Sequence, residues 1–392
     1  MTFYRIWGTV RQTAVRAGLL CEKTLFSLTG GKAPKSYFAG RSGAEFIGTN
    51  VRLVSEDGYS FTIAKYTEDG KIDGGDFVIA TSTDFHFDRD RDLNAKTVEL
   101  FIRQIKETKP DFIVLTGDII LGKYQQSEAI EFAQMMEKLG IYWTAVFGNH
   151  ETREERGFYK WLLLDSFSRY PHCLVKHGPD SLFGYGNFTV NILGSDGKIR
   201  ETLFMFDSGR NVSDENKKKY GLPADSGSYD FLKREQIEFY KNEIDRLRKD
   251  SPDVQSMMYM HIPLPEYALA FKENEGGSYV PSGECEVIYG SQYESVGCSE
   301  YNSGMFDAIL EKGSTKAVFA GHDHVNDWCA LYKGVYLVYS LHGGYNKYHL
   351  GDKCGKPESE WIQGITVTTL RPDGALEIRP SYNRKYLNGG KD

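Results

Sequence analysis

Side chains that can bind a metal ion recur in this chain directly after short apolar runs. The run at residues 113–116 is followed by Gly117 and Asp118, and four other runs end in histidine, aspartate or asparagine. The side chains at these positions are Asp84, His86, Asp118, Asn149, His150, His261, His322 and His324. Carboxylate, imidazole and amide groups are common ligands of divalent metal ions in proteins. The residue types therefore predict metal-ion chemistry.

The apolar runs have the length and composition of buried β-strands. They cover residues 77–81, 113–116, 141–147, 254–260 and 316–320. Segments with apolar residues at helical spacing, at 94–109 and 127–139, separate the first three runs and predict βαβ units. Gly117 permits a sharp turn or a close approach of the backbone at its strand end. Because open α/β sheets place their sites at the carboxyl ends of strands, the five ends are expected to meet on one rim.

Each of these residues taken alone has an ordinary structural explanation. A histidine after a strand is usually a hydrogen-bonded loop residue, and Gly117-Asp118 by itself is typical of a turn. Together, however, eight such groups on one rim would repel one another or stay unsatisfied without a bound cation. The complete set therefore predicts the metal site more strongly than any single member does.

The second half of the chain predicts a further, more antiparallel sheet. Residues 184–192 and 202–206 flank a turn at 195–197 as in a hairpin, and more β-rich stretches follow residue 334. Residues 262–300 contain several prolines and glycines with little periodicity, which predicts a long loop. The fold class expected is α/β with two mixed sheets.

Composition limits the classes of partner. The 392 residues carry a net charge of −7, which argues against a generic nucleic-acid binder and favours a small-molecule substrate. The six cysteines are scattered, which predicts free thiols in a reducing compartment, and only Cys285 and Cys298 are near enough in sequence to suggest a pair. No apolar stretch approaches the ~20 residues of a membrane span. The predicted location is cytoplasmic.

The first segment, residues 1–42, differs from the remainder, residues 43–392. It is basic, with seven lysines and arginines opposed only by Glu22. Apolar residues at helical spacing run beside these charges, at Phe3, Trp7, Val10, Ala14 and Ala17. One interpretation is an extra helix that packs on the main domain, and the other is a weak contact with an anionic membrane surface.

The ordered set of strand ends resembles the five-block motif of the calcineurin-like metallophosphoesterases. The blocks are Asp84-x-His86, Gly117-Asp118, Gly148-Asn149-His150-Glu151, His261 and Gly321-His322-x-His324. The stretches at 206–209 and 260–267 are similar to a small branch related to the purple acid phosphatases. The resemblance implies a four-layer α/β/β/α sandwich with its metal site at the strand ends.

The resemblance also implies a role for each residue. Asp84, His86 and His324 would hold one metal ion, Asn149, His261 and His322 a second, and Asp118 would bridge both. The bridged pair would activate a shared hydroxide for in-line attack on phosphorus. His150 would protonate the leaving oxygen, and Asn149, His150, Arg153 and Arg210 would contact the substrate.

One position departs from the purple acid phosphatases. Those enzymes have an iron-binding tyrosine three residues after the bridging aspartate, where this chain has Leu121, and they lack the histidine that is present here as His86. The cofactors expected are therefore two divalent or mixed-valence ions of Mn, Fe, Zn or Co, and the protein should be colourless or pale.

The function predicted from the sequence is hydrolysis of a phosphomonoester. A phosphodiesterase acting on nucleotides or cyclic nucleotides is an alternative that the motif set also allows. A second alternative is a catalytically degenerate scaffold, but such a protein would lack ligands, and this chain retains the whole set.

Overall fold

The computed structural model of the chain describes residues 44–88, 90–122, 125–152, 159–225 and 227–387. The predicted basic segment at 1–42 and Arg153 lie outside these residues. The described part of the chain forms two large mixed sheets, a short two-stranded ribbon and flanking helices.

The smaller of the two large sheets has five strands. Its strands are β3 (Phe77–Ser82), β4 (Phe112–Thr116), β5 (Trp143–Val146), β15 (Gly364–Leu370) and β16 (Leu376–Tyr382). Their spatial order is β16-β15-β3-β4-β5. The strands β3, β4 and β5 are parallel, and the β15–β16 hairpin adds antiparallel to β3. All five residues of β4 are buried, as expected for a central parallel strand covered on both faces.

The larger sheet has nine strands. They are β1 (Val51–Glu56), β2 (Ser60–Lys65), β6 (Phe188–Leu193), β7 (Ile199–Met205), β8 (Gln255–Tyr259), β11 (Glu286–Tyr289), β12 (Thr315–Ala320), β13 (Cys329–Tyr332) and β14 (Val335–Tyr339). Their order is β1-β2-β6-β7-β8-β12-β14-β13-β11. The strands β7, β8, β12 and β14 form a parallel centre, so their carboxyl ends point the same way.

Helices cover the outer faces of both sheets. They are α1 (Arg91–Thr108), α2 (Gln125–Leu139), α3 (Lys160–Phe167), α4 (Asp214–Tyr220), α5 (Arg234–Leu247), α6 (Met305–Lys312), α7 (Leu350–Cys354) and α8 (Arg384–Leu387), with 3₁₀ turns at Pro265–Leu269 and Glu358–Glu360. The Asp90 side chain accepts the amide hydrogens of Asp92 and Leu93 and so caps α1. That helix ends at Lys109, which is left-handed and precedes Pro110.

The layers of the fold follow from side chains that alternate between the two faces of the larger sheet. On β7, Leu203 and Met205 pack with the smaller sheet, whereas Phe204 packs on the other face with α5 and α6. Residues of β8 and β12 alternate in the same way, with Tyr259 and Phe319 stacked between the sheets at 4.8 Å. The central strands of each sheet are therefore buried on both faces, and the predicted α/β/β/α sandwich is confirmed.

Two segments differ from their predicted form. The predicted loop at 262–300 contains a 3₁₀ turn, the ribbon of β9 (Phe271–Glu273) and β10 (Tyr279–Pro281), and the edge strand β11. Strands of three or four residues between glycines and prolines are too short to show a period. Charge pairs at helical spacing predict a helix from Asp230 to Arg248, but α5 begins only at Arg234, because Asp230 and Lys233 form a buried ion pair in the preceding turn.

The described cysteines are free thiols, and Cys285 and Cys298 are therefore not paired. Burial raises the pKa of Cys298 to about 11, so this thiol stays protonated near neutral pH. Over the ranges given above, no helix is long and apolar enough to cross a membrane.

Candidate metal centre

The five ligand-bearing strand ends meet, but they come from two sheets. The smaller sheet supplies Asp84 and His86 after β3, Asp118 after β4, and Asn149 and His150 after β5. The larger sheet supplies His261 after β8, and His322 and His324 after β12. The expectation of one rim on one sheet was therefore incomplete, because the site lies where the carboxyl ends of two packed sheets face each other.

Glycines before the ligands allow this close approach. Gly117 has φ of 97°, and a Cβ atom built on it would lie 2.7 Å from both the Gly148 amide nitrogen and His261 Nδ1. A Cβ atom on Gly148 would lie 2.1 Å from Asp118 Oδ1. Both distances are far shorter than van der Waals contact. The strand ends can therefore converge only because these positions lack a side chain.

Several candidate ligands have an unusual backbone conformation. Among the described residues other than glycine, six have positive φ, and four of these are Asp84, His86, Asp118 and His322, at 49° to 77°. A left-handed residue costs about 1–2 kcal/mol. Such strain at four residues of one cluster is typical of a site whose side-chain directions are imposed by function.

The first cluster contains Asp84, His86 and His324. His86 Nε2 lies 3.0 Å from His324 Nε2 and 3.3 Å from Asp84 Oδ1, and the third side of this triangle is 3.4 Å. All three residues are buried, with 0%, 1% and 6% of their surface exposed. The three ligand atoms therefore face one enclosed point.

The second cluster contains Asp118, Asn149, His261 and His322. His261 Nε2 lies 3.3 Å from Asp118 Oδ2, 2.9 Å from Asn149 Oδ1 and 3.3 Å from His322 Nδ1. Asn149 and His322 are half-buried, whereas every member of the first cluster is buried. The second cluster is thus the one nearer to the mouth of the site.

One oxygen of Asp118 lies between the two clusters. Asp118 Oδ2 is 3.3 Å from His261 Nε2 in the second cluster and 3.7 Å from His86 Nε2 in the first. The other oxygen, Oδ1, accepts the backbone N–H of His150 at 2.8 Å, which fixes the carboxylate plane. A carboxylate held in this way can serve two cations at once.

Hydrogen bonds behind the ligands set the histidine tautomers. His261 Nδ1 donates to the Thr116 carbonyl at 2.8 Å, and His324 Nδ1 donates to the Tyr348 carbonyl at 3.3 Å. Each ring then presents the lone pair of Nε2 to its cluster. His322 is turned the other way and presents Nδ1, which lies 3.3 Å from His261.

These atoms fit two transition-metal ions. Ligand atoms bound at about 2.0–2.2 Å to one ion lie roughly 3 to 3.5 Å from one another. The distances within the first cluster, and those from His261 Nε2 to its neighbours in the second, have this size. Asp84 Oδ1 is buried without a hydrogen-bond donor, as expected for an atom whose partner is a cation. The nitrogen and oxygen donor set suits Mn, Fe, Zn or Co.

The electrostatics of the clusters also favour a cation. Burial raises the pKa of Asp84 and of Asp118, but the imidazoles of His261 and its neighbours outweigh burial and hold both pKa values below their ordinary range. Burial lowers the pKa of His261, but Asp118 and Asp84 outweigh it and raise this pKa to about 9. The carboxylates therefore keep a proton on His261, and a bound metal ion would replace that proton.

Glu151 supports the site from behind. Its carboxylate accepts three backbone N–H groups, from Asp118 at 3.0 Å, Ile120 at 3.0 Å and Gly148 at 2.6 Å. Burial and the charge of Asp118 raise its pKa to about 7. Glu151 joins the ends of β4 and β5 and so positions the shared carboxylate.

Two tyrosines beside the site carried no sequence signal that singled them out. The Tyr348 ring stacks on His324 at 4.3 Å, and its hydroxyl donates to Glu294 at 2.9 Å. The rings of Tyr229 and His322 form a T-shaped contact, with their centroids 4.3 Å apart. His342 follows β14 as the ligands follow their strands, but it is buried against His324, outside both clusters.

The predicted substrate-side residues lie at the mouth where they are described. The His150 side chain is 34% exposed, and its Nε2 is 3.8 Å from Asp118 Oδ2. Arg210 is exposed, and its Nη1 donates to the Thr152 carbonyl at 2.8 Å. Arg210 therefore holds the loop after β5, and its contact with a substrate stays a prediction.

Two packed mixed sheets with paired metal clusters at their strand ends define a dinuclear metal-binding α/β fold. The family model of the calcineurin-like phosphoesterases matches residues 77–326, which include every candidate ligand. The chain belongs to this family. The match confirms the family that the five-block motif indicated.

Individual relatives give further detail. The chain is 30% identical over 280 residues to probable inactive purple acid phosphatase 14 of Arabidopsis thaliana, covering 66% of this chain and 64% of that protein. It is 31% identical over 242 residues to phosphatase DCR2 of Saccharomyces cerevisiae, covering 59% of this chain and 39% of that protein. The chain thus spans less than two thirds of the length of these curated relatives.

A solved structure is similar in fold. A dimetal phosphatase from Danio rerio superposes with a TM-score of 0.51 at 12% identity, covering 78% of this chain and 96% of that one. At this identity the likeness concerns the fold alone, which agrees with the four-layer sandwich described above.

Proposed function

We propose that this chain hydrolyses phosphomonoesters in a reaction that depends on two transition-metal ions. The observation that carries the proposal is the position of Asp118 Oδ2, within 3.7 Å of ligand atoms in both clusters. A single carboxylate oxygen between two sets of nitrogen and oxygen donors is suited to a pair of ions that act together. When bound, such a pair polarises the phosphoryl group and lowers the pKa of a bound water so that it becomes a nucleophile.

The residues of the chain have separate tasks in this proposal. Asp84, His86 and His324 would hold one ion, Asn149, His261 and His322 the other, and Asp118 both. The backbone of His150 is fixed by its bond to Asp118, while its ring faces the mouth of the site. This ring would protonate the leaving oxygen, since its side chain is 34% exposed and can reach a bound substrate.

The substrate would be oriented at the same mouth. The amide of Asn149 and the ring of His150 border the second cluster, and Arg210 would supply positive charge to the phosphoryl oxygens. A similar contact by Arg153, which lies outside the described residues, stays a prediction from the sequence. The guanidinium of Arg210 has donors besides the one bonded to Thr152, so a bond to phosphate is compatible with its structural bond.

Some relatives carry names that call them inactive, and the ligand set of this chain bears on that alternative. A scaffold that had lost catalysis would be expected to lack donors or to misplace them. Here all seven candidate ligands are present, and their donor atoms lie within one or the other cluster. The intact set supports an active enzyme.

The test is metal analysis of the purified protein combined with turnover of a panel of phosphomonoesters and phosphodiesters. The expected result is two ions per chain and preference for monoesters; preference for nucleotide or cyclic-nucleotide diesters would favour the alternative phosphodiesterase. Asp118→Asn should lower both the metal content and the turnover. Two retained ions with full activity in that variant would refute the mechanism.

A matched control lies at the other end of the same strand. Asp111 precedes β4, and Asp118 follows it. Asp111 accepts the Val78 N–H at 2.8 Å and pairs with Lys65 at 3.0 Å, far from either cluster in the sheet. Asp111→Asn makes the same chemical change at the other end of β4. This variant should keep both ions and full activity.

We further propose that the metal pair lacks a tyrosinate ligand. Leu121 occupies the position of the iron-binding tyrosine. Its side chain is buried, and its backbone N–H donates to the Phe87 carbonyl. The purified metal-loaded protein should then be colourless or pale. A strong visible band from tyrosinate-to-iron charge transfer would contradict this assignment.

A further inference from the structure

A short ribbon of two chain segments borders the second cluster. Asn211 pairs antiparallel with Tyr229, the Val212 N–H donates to the Ser228 carbonyl at 3.2 Å, and the Asp230 N–H donates to the Arg210 carbonyl at 2.9 Å. This ribbon lies between the end of β7 and the start of α5. It had no recognisable strand signal, because each segment contributes only about three residues.

The ribbon is fastened directly to segments that carry the metal ligands. The Ser208 hydroxyl accepts the N–H of Ile262, the residue after His261, at 2.9 Å. The Arg210 guanidinium binds the Thr152 carbonyl in the loop after His150, at 2.8 Å. Its other segment is held as well, because the Ser228 hydroxyl accepts the Glu300 N–H at 2.9 Å. The position of the ribbon relative to the clusters is therefore well defined.

Tyr229 is the ribbon residue that reaches the site. Its ring meets His322 edge to face at 4.3 Å, and the residue is half-buried. Across the described ranges, its hydroxyl has no hydrogen-bond partner, and its oxygen is not among the atoms sealed from solvent.

We propose that Tyr229 is a further substrate-contacting group, whose O–H donates a hydrogen bond to a phosphoryl oxygen of the ester held at the two clusters. This inference rests on the proposed function. A phenol remains protonated at neutral pH, because its ordinary pKa is about 10, and can act as a donor. A donor fixed beside the cation pair stabilises the negative charge on the phosphoryl oxygens during transfer.

The competing explanation is that the Tyr229 ring only orients His322. Tyr229→Phe distinguishes the two explanations, because it keeps the ring and removes only the hydroxyl donor. Tyr301 supplies a matched control: its ring packs on Phe231 of the neighbouring turn at 4.7 Å and makes no ring contact with a candidate ligand. Tyr301→Phe removes a hydroxyl from the same part of the fold.

The experiment measures metal content, equilibrium binding of inorganic phosphate to the metal-loaded protein, and kcat/KM for a phosphomonoester. In Tyr229→Phe both ions should be retained, while phosphate affinity and kcat/KM should each fall by roughly 10- to 100-fold, the usual effect of losing a hydrogen bond to a charged group. Tyr301→Phe should match the wild type in all three measurements.

The outcomes separate this inference from the proposed function. If Tyr229→Phe binds phosphate and turns over as the wild type does, the inference is wrong, and loss of an ion in Tyr229→Leu would then indicate an orienting role. If the wild type hydrolyses no ester but Tyr229→Phe still binds phosphate more weakly, the contact stands and the hydrolytic function fails. If the metal-loaded wild type binds no phosphate, the inference is overturned.

Discussion

Buried carboxyl groups lie at both ends of the sandwich, and the two aspartates among the candidate ligands differ from the buried acids at the opposite end. At the carboxyl ends of the strands, Asp84 and Asp118 are buried among imidazoles, which hold their pKa values below the ordinary range. At the amino ends, Glu201 in β7 is equally buried, and burial raises its pKa to about 8 against the weaker effect of Arg200. Asp111 is intermediate, since burial raises its pKa in spite of Lys65.

The difference shows that burial alone does not make a metal site. Desolvation favours the neutral form of any carboxyl group, so an isolated buried acid such as Glu201 keeps its proton near neutral pH. Where several imidazoles converge, as around Asp84 and Asp118, the carboxylate stays ionised in the interior. The ionised carboxylates and the imidazoles around them become the donor set that a transition-metal ion requires when the ion replaces the proton on His261.

The largest expected effect, on metal content and kcat/KM, comes from removing a carboxylate charge among the candidate ligands. Asp84→Asn should empty the first cluster, because an amide binds a transition-metal ion much more weakly than a carboxylate. Loss of one Lewis acid, worth several kcal/mol, should lower kcat/KM by about a thousandfold. Elemental analysis and steady-state kinetics check this, and a variant that kept two ions and wild-type turnover would show that the first cluster is not a metal site.

A change of similar size, in the free energy of unfolding, is expected for Glu201 at the amino ends of the strands, but it depends on pH. In the folded state Glu201 has a pKa of about 8, above its ordinary value of 4.5. Between these values the unfolded chain releases a proton that the folded chain keeps, so stability falls as pH rises. Glu201→Gln removes this titration and should be roughly 3 to 5 kcal/mol more stable than the wild type at pH 8 but not at pH 4.

Urea unfolding of both proteins across this pH range measures the Glu201 effect. If the free energies of unfolding of wild type and Glu201→Gln changed in parallel with pH, the Glu201 carboxyl group would titrate normally in the folded protein. The contrast between the two ends of the sandwich would then not hold.

A smaller effect is expected from filling the space at a ligand-bearing strand end. Gly117→Ala places a Cβ atom 2.7 Å from the Gly148 nitrogen and strains a residue with φ of 97°. The expected loss of stability is about 2–4 kcal/mol, accompanied by weaker metal binding. Gly334 also has positive φ but open space around it, so Gly334→Ala should cost only about 1 kcal/mol and leave metal binding unchanged. Equal costs at both positions would contradict the crowding argument.

The smallest effect is expected for the ion pair of Asp111 and Lys65. Lys65 is one quarter exposed, so solvent screens the pair, and Asp111→Asn should destabilise the fold by about 1 kcal/mol. Activity should not change. A loss of turnover in this variant would mean that the amino ends of the strands influence the metal centre after all.

Much of the fold could be predicted because its signals are local. The strands β3, β4, β8 and β12 coincide with apolar runs to within one or two residues, and α1 ends where Pro110 requires. The edge strand β11 and the ribbon around Tyr229 were not predictable in this way. Each has few residues, and only partners distant in sequence complete its hydrogen bonds.

The sequence by itself determined which strand ends carry candidate metal ligands, because an apolar run followed by histidine or aspartate is a local pattern. The tertiary structure decided that these ends belong to two sheets, that one oxygen of Asp118 faces both clusters, and that Tyr229 and Tyr348 flank the ligands. These facts depend on the packing of segments up to about 240 residues apart, such as those joined by the 3.0 Å contact of His86 with His324. Such distances are set by the burial of the two sheets against each other, and no local pattern encodes them.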